Sequence, residues 1–434
     1  MNPEHFIAKR IALTKSESFT RIIIRIAIAA IAISLSVMIL TAAIISGFKK
    51  EISEKIFGFW GHIHITDSNV NRNFELSPIS LNQEYFEQIR EIKSVDYQED
   101  ASILGIKISG NYRNKSSHGG VKGAYPFILL PALLTTRLND MHGVLLKGVD
   151  KDYDWSAMSQ FITAGKAISF HPDSSSSQLL ISRNIASRLR LQPGEKVVLN
   201  FIRDRVQVKK RFEISGIYNT GLEEYDRKII LADLSKLQEI LGWKPDEVQG
   251  VEIILDDIRD MDLFSDYIYY EVLPPKLFAE SIRSKFPGIF EWLKLQDINE
   301  TVILQLMILV AIINMITVLL ILILERTHMI GVLKALGAGN WFIRKIFLYN
   351  AGYIILFGLL FGNLLGLGVA FAQKQYQFIK LDEANYYLST APIHIDWITV
   401  GMLNLAAFAI TVFFMIFPTW LISRIQPVKA LRFN

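Results

Sequence analysis

Few residues in this 434-residue chain have the types and spacing that chemistry needs. His62 and His64 alternate along the run His62-Ile-His-Ile-Thr66, so both imidazoles face one side of a strand, as two ligands of a divalent metal would. No third ligand is evident beside them, and a structural role is expected. His171, Asp173 and the serines at 174–177 are the residue types of a hydrolytic triad. Their contiguity in a serine-rich stretch reads as a surface loop instead, as does the polar, glycine-containing segment 111–123. The chain has no cysteine, which removes disulfides, thiolate metal sites and cysteine nucleophiles. GxSxG, HExxH and CxxC patterns are all missing, and so is the GxxxxGK[ST] cradle that holds nucleotide phosphates. No catalytic residue and no metal ligand is therefore expected, and any nucleotide chemistry belongs to another polypeptide.

The elements that would position these residues fall into two classes. Between 47 and 299 the sequence reads like a soluble domain outside the cytoplasm. A strand at 62–66, a helix at 81–92 and a strand at 95–109 open it as β-α-β. Further strands are expected at 178–181, 196–203, 211–218, 228–231 and 248–255. Short helices are expected at 182–191 and 234–241, and mixed structure at 262–284. The domain is read as mixed α/β, in two lobes.

The remainder is strongly apolar, which is why 51% of the whole chain is hydrophobic. Four stretches, 22–46, 300–324, 346–372 and 398–422, reach the length of about 20 apolar residues that a membrane-crossing helix needs. The first competes with a cleaved signal peptide. Its apolar core exceeds the roughly 7–15 residues of such a segment, so an uncleaved anchor is expected. Asn314 in the second is expected to bond a neighbouring helix. In the third, Gly358, Gly362 and Gly366 recur every four residues, which lets another helix approach closely.

Lys9, Arg10, Lys15, Arg21 and Arg25 lie before or at the start of the first stretch; Arg326, Lys334, Arg344 and Lys345 lie between the second and third; Arg424, Lys429 and Arg432 follow the fourth. That distribution places both termini and the 325–345 link in the cytoplasm, and puts 47–299 and the 373–397 loop outside it. Residues 1–21 form a cytoplasmic N-terminus whose segment 3–13 is read as an amphipathic elbow helix or a frayed end. Residues 423–434 form a cytoplasmic tail. The net charge of +4 is too small to argue for nucleic acid.

The most informative segment is the link Glu325-Arg-Thr-His-Met-Ile-Gly-Val-Leu-Lys-Ala-Leu-Gly-Ala-Gly-Asn340. It reads as a short helix over 326–336 with Met329, Ile330, Leu333 and Leu336 as an apolar stripe, Gly337 as C-cap and Asn340 as the next N-cap. Two readings stand for this helix. It fits a groove on a soluble partner, or it rests on lipid headgroups.

This link resembles the coupling region of ABC transporter permeases of the MacB/FtsX type. The opening Phe6-Ile-Ala-Lys-Arg10, the run Ile44-Ile-Ser-Gly-Phe48 and the ending Pro418…Arg424-Ile-Gln-Pro427 are similar to the same family. Leu180-Ile-Ser, Leu191-Gln-Pro-Gly-Glu-Lys-Val and Glu224-Tyr-Asp226 look most like its lipoprotein-releasing LolC/LolE branch. The resemblance implies a bacterial inner-membrane permease that is not itself an enzyme. It implies a second permease half, the same or homologous, and two copies of an ATPase subunit that bind ATP and Mg. The cargo would be a lipoprotein drawn from membrane lipids and passed to a periplasmic chaperone or adaptor by mechanotransmission. A MacB-like efflux permease and an FtsX-like regulator of a cell-wall hydrolase are the alternatives.

The coupling residues it implies are Glu325, Arg326, Met329, Ile330, Gly331, Leu333, Lys334, Leu336 and Gly337. Ile44, Ile45 and Phe48 lie where a lipid-handling permease would receive acyl chains. One departure stands out: the hairpin 201–210 is compact and lacks the proline-containing loop by which LolC recruits its chaperone.

Overall fold

The computed structural model describes residues 18–69, 76–103, 106–153, 155–170, 174–203 and 206–424. The segment 3–13, His171, Asp173 and the tail beyond Arg424 lie outside the described residues. The chain divides into two compact units. One contains the described residues up to Glu51, residues 291–381 and those from Thr390; the other contains 52–290 with 382–389.

Four helices in the described chain are long and apolar enough to cross a membrane. They are α1 (Ser18–Trp60), α2 (Pro287–Glu325) and, after the short α3 (Thr327–Ala335), α4 (Asn340–Tyr376) and α5 (Trp397–Thr419). At about 1.5 Å per residue, the 43 residues of α1 exceed what a bilayer core of about 30 Å requires, so this helix continues well past its apolar stretch.

The membrane unit packs small residues against large ones. A Cβ added at Gly358 would lie 2.7 Å from Ile31 Cβ, and one at Gly362 2.9 Å from Leu35 Cβ and 3.0 Å from the Ala32 carbonyl. The glycine stripe of α4 is thus the contact face for α1, and the close approach buries Ile31, Leu35 and Ile39 with Leu319 and Ile323 of α2 and Ile355 of α4. Van der Waals fit of this kind is the main source of helix association in lipid, where apolar burial alone gives nothing. Asn363 of α4 and Asn404 of α5 exchange amide hydrogen bonds of 2.7 and 3.0 Å, an interhelical contact that hydropathy alone does not single out. Outside the apolar stretches, Gly47 lies under the Pro392 carbonyl, where a Cβ would approach to 2.6 Å, and His394 N–H donates to Ala43 O at 3.0 Å.

The main sheet of the outer unit has ten strands among the described residues. In chain order they are β1 (Ile63–Asp67), β2 (Val121–Thr135), β3 (Met141–Val149), β4 (Ile162–Gly165), β5 (Gln178–Ser182), β6 (Lys196–Arg203), β7 (Val206–Tyr218), β8 (Ile229–Asp233), β9 (Gly250–Leu255) and β10 (Leu277–Ser281). They join in the order β10-β1-β9-β2-β3-β8-β5-β7-β4, with β6 pairing β7 and β2. The sheet is mixed: β8 runs parallel to β3 and β5 parallel to β7, while β1 is antiparallel to both its neighbours. Where two lobes were expected, two regions of sheet meet in one long strand. The first half of β2 pairs β9 from Val121 to Phe127, and its second half pairs β3 from Ile128 to Thr135.

Local chemistry fixes the flanking helices. Ser182 caps Arg183–Leu189 by accepting Ile185 N–H at 3.1 Å, and Asp233 caps Leu234–Leu241 by accepting Ser235 N–H at 2.9 Å.

Two expectations are corrected here. The segment 95–109 is not one strand, and 111–123 is not a loop. Asp96–Ile103 pairs with Ile106–Ser116 as a separate antiparallel hairpin, with Glu99 opposite Arg113. Its polar composition imitates a loop because cross-strand polar pairs such as Gln98–Asn114, rather than an apolar face, line the ladder.

If the glycine stripe sets the α1–α4 distance, Gly362→Leu should lower the unfolding midpoint of the detergent-solubilised chain by several degrees, about 1–3 kcal/mol of overpacking. Gly368→Leu is the control, because no atom lies within 4 Å of a Cβ there. Equal midpoints for the two variants would contradict the packing role.

Candidate functional site

The expected strand begins one residue later, so His62 precedes β1 and His64 lies in it; both are buried, and three of their four ring nitrogens are bonded within the domain. His62 Nδ1 accepts the Leu255 N–H at 2.7 Å, and its ring meets the Phe57 ring edge-on with centroids 4.8 Å apart. His64 Nδ1 accepts from Lys285 Nζ at 2.9 Å, which leaves Nε2 as the protonated nitrogen that donates to Trp60 O at 2.6 Å. Burial lowers the His62 pKa to about 4, with Lys122 adding a smaller electrostatic push in the same direction. Burial also holds His64 well below its ordinary value, and Lys285 and Lys147 reinforce that. Both imidazoles are therefore neutral at pH 7.

Beside them lies a buried ion pair that the sequence reading missed. Lys147, near the end of β3, and Glu252, within β9, meet at 2.7 Å with side chains 0% and 4% exposed. Glu252 stands directly across the ladder from His64. Lys147 Nζ also donates to the Phe59 carbonyl, and it lies 5.1 Å from the ring centroids of both Phe59 and Trp60. Burial pulls the lysine pKa down and pushes the glutamate up, and their mutual attraction opposes both shifts. The available signal was a single charge inside each of two apolar runs, Val144-Leu-Leu-Lys147-Gly-Val149 and Val251-Glu252-Ile-Ile-Leu255.

Two of the serines at 174–177 bond to the outer domain. Ser176 N–H donates to Asp233 Oδ2 at 2.6 Å, and Ser175 Oγ donates to Glu239 at 3.0 Å. A polar cleft of about 320 Å³ is lined by Arg183, Asn184, Asn219, Glu223, Asp226 and Glu383, among others. The Asp226 carboxylate there is committed to its own turn. Oδ1 accepts Thr220 Oγ1–H at 2.8 Å, and Oδ2 accepts the Thr220 and Gly221 N–H groups at 3.1 Å. Burial raises its pKa to about 6 against those hydrogen bonds. In the Glu224-Tyr-Asp226 motif, Tyr225 packs on Trp60 and Phe286 at ring distances of 5.7 and 5.3 Å.

The link after α2 forms a helix as expected, but its apolar stripe divides. Ile330 and Gly331 are buried, and Met329 and Leu333 pack onto the core of the transmembrane helices. Leu336 is 79% exposed, with Val332 and Trp341 also outward. Lys334 Nζ donates to Ile422 O at 2.7 Å, which ties α3 to the end of the last helix. Glu325 is exposed and Arg326 half-buried. Gly337 closes α3 at φ +88°, donating to Lys334 O at 3.0 Å. The expected N-cap at Asn340 is corrected: Gly339 occupies that place, and Asn340 is already helical. On α1, Ile45 is buried, Ile44 is half-buried, and Phe48 meets Trp292 of α2 edge-on at 6.4 Å.

Against known proteins, the MacB-like periplasmic core domain model matches residues 26–268, and the FtsX-like permease C-terminal model matches 301–427. The lipoprotein-releasing system transmembrane protein LolC of Xylella fastidiosa is 22% identical, over 97% of this chain and 96% of its own. LolE of Haemophilus influenzae is 23% identical over 99% of both. Among solved structures, the periplasmic region of MacB from Actinobacillus actinomycetemcomitans covers 53% of this chain and 92% of its own, at 8% identity and a TM-score of 0.33.

The neutral His62 gives a signed pH dependence. Its folded pKa of about 4 lies below the ordinary 6.5, so its contribution is fully present above pH 6.5 and is lost as pH falls through 4, up to about 3 kcal/mol. Asp226, whose pKa is raised to about 6, acts with the opposite sign over part of that range. His62→Asn isolates the histidine, because an amide oxygen accepts the Leu255 N–H without titrating. Thermal unfolding followed from pH 7 to 4 should show a shallower acid loss in the variant. Superimposable profiles would exclude His62 as the group responsible.

Proposed function

The chain belongs to the family of membrane proteins with a MacB-like periplasmic core domain, joined here to an FtsX-like permease C-terminal region, and on that premise we propose that it is a permease subunit of an ABC-type lipoprotein-releasing system. The observation that carries this reading is likeness to LolC and LolE proteins over 97% and 99% of the chain. In this reading the chain sits in the inner membrane with both termini cytoplasmic. It pairs with a second permease half, and two copies of a separate ATPase bind ATP and Mg.

The task explains the division of labour. Drawing acyl chains out of a bilayer costs about 0.8 kcal/mol per CH₂, so lifting several tens of methylenes needs both ATP and an acceptor that shields them. A periplasmic carrier supplies the acceptor. Ile44 and Phe48, half-buried on α1, are where acyl chains would first meet this chain. The exposed Ile202 and Val206 of the β6–β7 hairpin lie on the outer domain, where a carrier approaches.

In this reading the contact with the ATPase is made by the outward residues of the link, Val332 in α3 and Leu336 at its C-cap. Met329, Ile330 and Leu333 pack onto the core of the transmembrane helices, and in this reading they set the position of α3 for that contact.

In liposomes loaded with a lipoprotein, the chain reconstituted with its co-purifying ATPase should release cargo only when ATP and a periplasmic carrier are both present. Binding of an adaptor or a cell-wall hydrolase without release would reject this reading in favour of an efflux permease or a regulator. Leu336→Asp should reduce ATPase co-purification at least about tenfold, as expected of a central apolar anchor, without changing membrane insertion. Undiminished co-purification would remove Leu336 from the contact.

A further inference from the structure

A helix leaves its last four carbonyls without intrahelical partners, and at a buried end water cannot supply them. At the end of α1 all four are filled from within the outer unit. Gly61, in the left-handed conformation at φ +68°, donates its N–H to Phe57 O at 2.8 Å. Tyr153 OH donates to Gly58 O at 3.2 Å, Lys147 Nζ donates to Phe59 O, and His64 Nε2 donates to Trp60 O at 2.6 Å. The side-chain donors come from three places: β1, β3 and the turn after β3. A cation at this end also meets the negative pole of the helix dipole.

The same cluster holds the approach to α2. Lys285 bonds His64, Phe286 packs on Trp60 with centroids 5.4 Å apart, and Phe290 stacks on Phe57 at 5.9 Å. The end of α1 and the start of α2, the two long helices through which the chain enters and leaves the outer domain, therefore meet one buried polar cluster.

We infer that this cluster is the socket through which motion of α1 is delivered to the outer domain, with Lys147 as its positioning residue and Glu252 as the counter-charge that keeps the ammonium in place. A cation bonded to the helix end and paired with a central strand makes the helix and the sheet move as one body. An apolar side chain at the same point would fill the space but hold no carbonyl. The inference rests on the reading of the chain as an ATP-driven permease; one of its two readouts also needs lipoprotein release, and the other does not.

The test compares wild type, Lys147→Met and the double variant Lys147→Met with Glu252→Leu, each reconstituted with the co-purifying ATPase. Replacing both members of a buried ion pair by apolar residues commonly preserves stability, so the double variant separates coupling from folding. Expected for both variants is ATP hydrolysis near the wild-type rate, with lipoprotein released per ATP reduced about tenfold, the scale of one charge-assisted hydrogen bond. The second readout needs no cargo. The chain has no cysteine, so a nitroxide on Ile202→Cys reports the outer domain alone, and its ATP-dependent spectral change should vanish in both variants.

Wild-type coupling in the double variant would overturn the socket. Should both Lys147 variants fail to fold, Tyr153→Phe, which removes the donor to Gly58 O, carries the test: reduced release per ATP supports the socket, and unchanged coupling overturns it. A wild-type protein that shows the spectral change but releases no lipoprotein removes the release function and leaves the socket to be decided by the variants.

Discussion

The end of α1 is the constraint around which the outer domain is arranged. An amphipathic surface helix can finish in water, but α1 finishes at Phe59 and Trp60, both buried, with its terminal carbonyls inside the domain. Donors had to be brought to that point, and the strongest available is an ammonium. Burying Lys147 without a counter-ion would cost several kcal/mol, so Glu252 on a neighbouring part of the sheet is part of the same solution. Each lies within a ladder, Lys147 opposite Leu129 and Leu231, Glu252 opposite His64 and Tyr125, so strand register decides whether they meet. A shift of one residue would send either charge to the other face of the sheet. The long β2, which pairs β9 along one half and β3 along the other, joins the two strands that carry the pair.

The membrane unit solves a different problem with different residues. Where α1 and α4 cross, three glycines let the backbones approach until Ile31, Leu35 and Ser36 lie against them. In the link between α2 and α4, one short helix divides its apolar residues between two faces. Met329, Ile330 and Leu333 are used for packing and Lys334 for a bond to the last helix, which leaves Leu336 and Val332 free. A stripe read from periodicity as one face is two faces once the helix is seated. An aspartate at 333 would disturb the seat of α3 as well as anything that touches it, whereas one at 336 would address the outer surface alone.

What could be read in the sequence follows from the range of the interaction. The four spans, the link helix and the capped helices at Arg183–Leu189 and Leu234–Leu241 are visible because hydropathy, caps and turn residues act within one or two turns of the chain. The strands β2 and β3 leave a weaker signal. Pro126 and Pro131 argue against a central strand, and Phe127-Ile-Leu-Leu130 is a continuous apolar run without alternation. Both prolines sit in the ladder all the same, opposite Val251 and Leu145. The socket is harder still to read. Its members at positions 59, 64, 147, 252 and 285 come together only through strand order, and a lone charge in a strand run is ordinarily an outward-facing residue. The alternation of His62 and His64 was visible; their partners, Leu255 N–H and Lys285, were not.

The geometry of the helix end also decides what kind of motion it can carry. A single donor on the helix axis would transmit a push and leave the helix free to turn beneath the domain. Here the side-chain donors reach the carbonyls of Gly58, Phe59 and Trp60, successive residues placed about 100° apart around the axis. Holding three such points around the axis fixes the azimuth of the helix as well as its height. The rings of Tyr225 and Phe286 against Trp60 resist the remaining sideways displacement by packing. Rotation, tilt and translation of the last turn of α1 are then all displacements of the sheet that holds Lys147 and Glu252. A connection built from charge-assisted and ordinary hydrogen bonds at fixed angles is what a domain requires if it is to be driven by a helix rather than tethered to one.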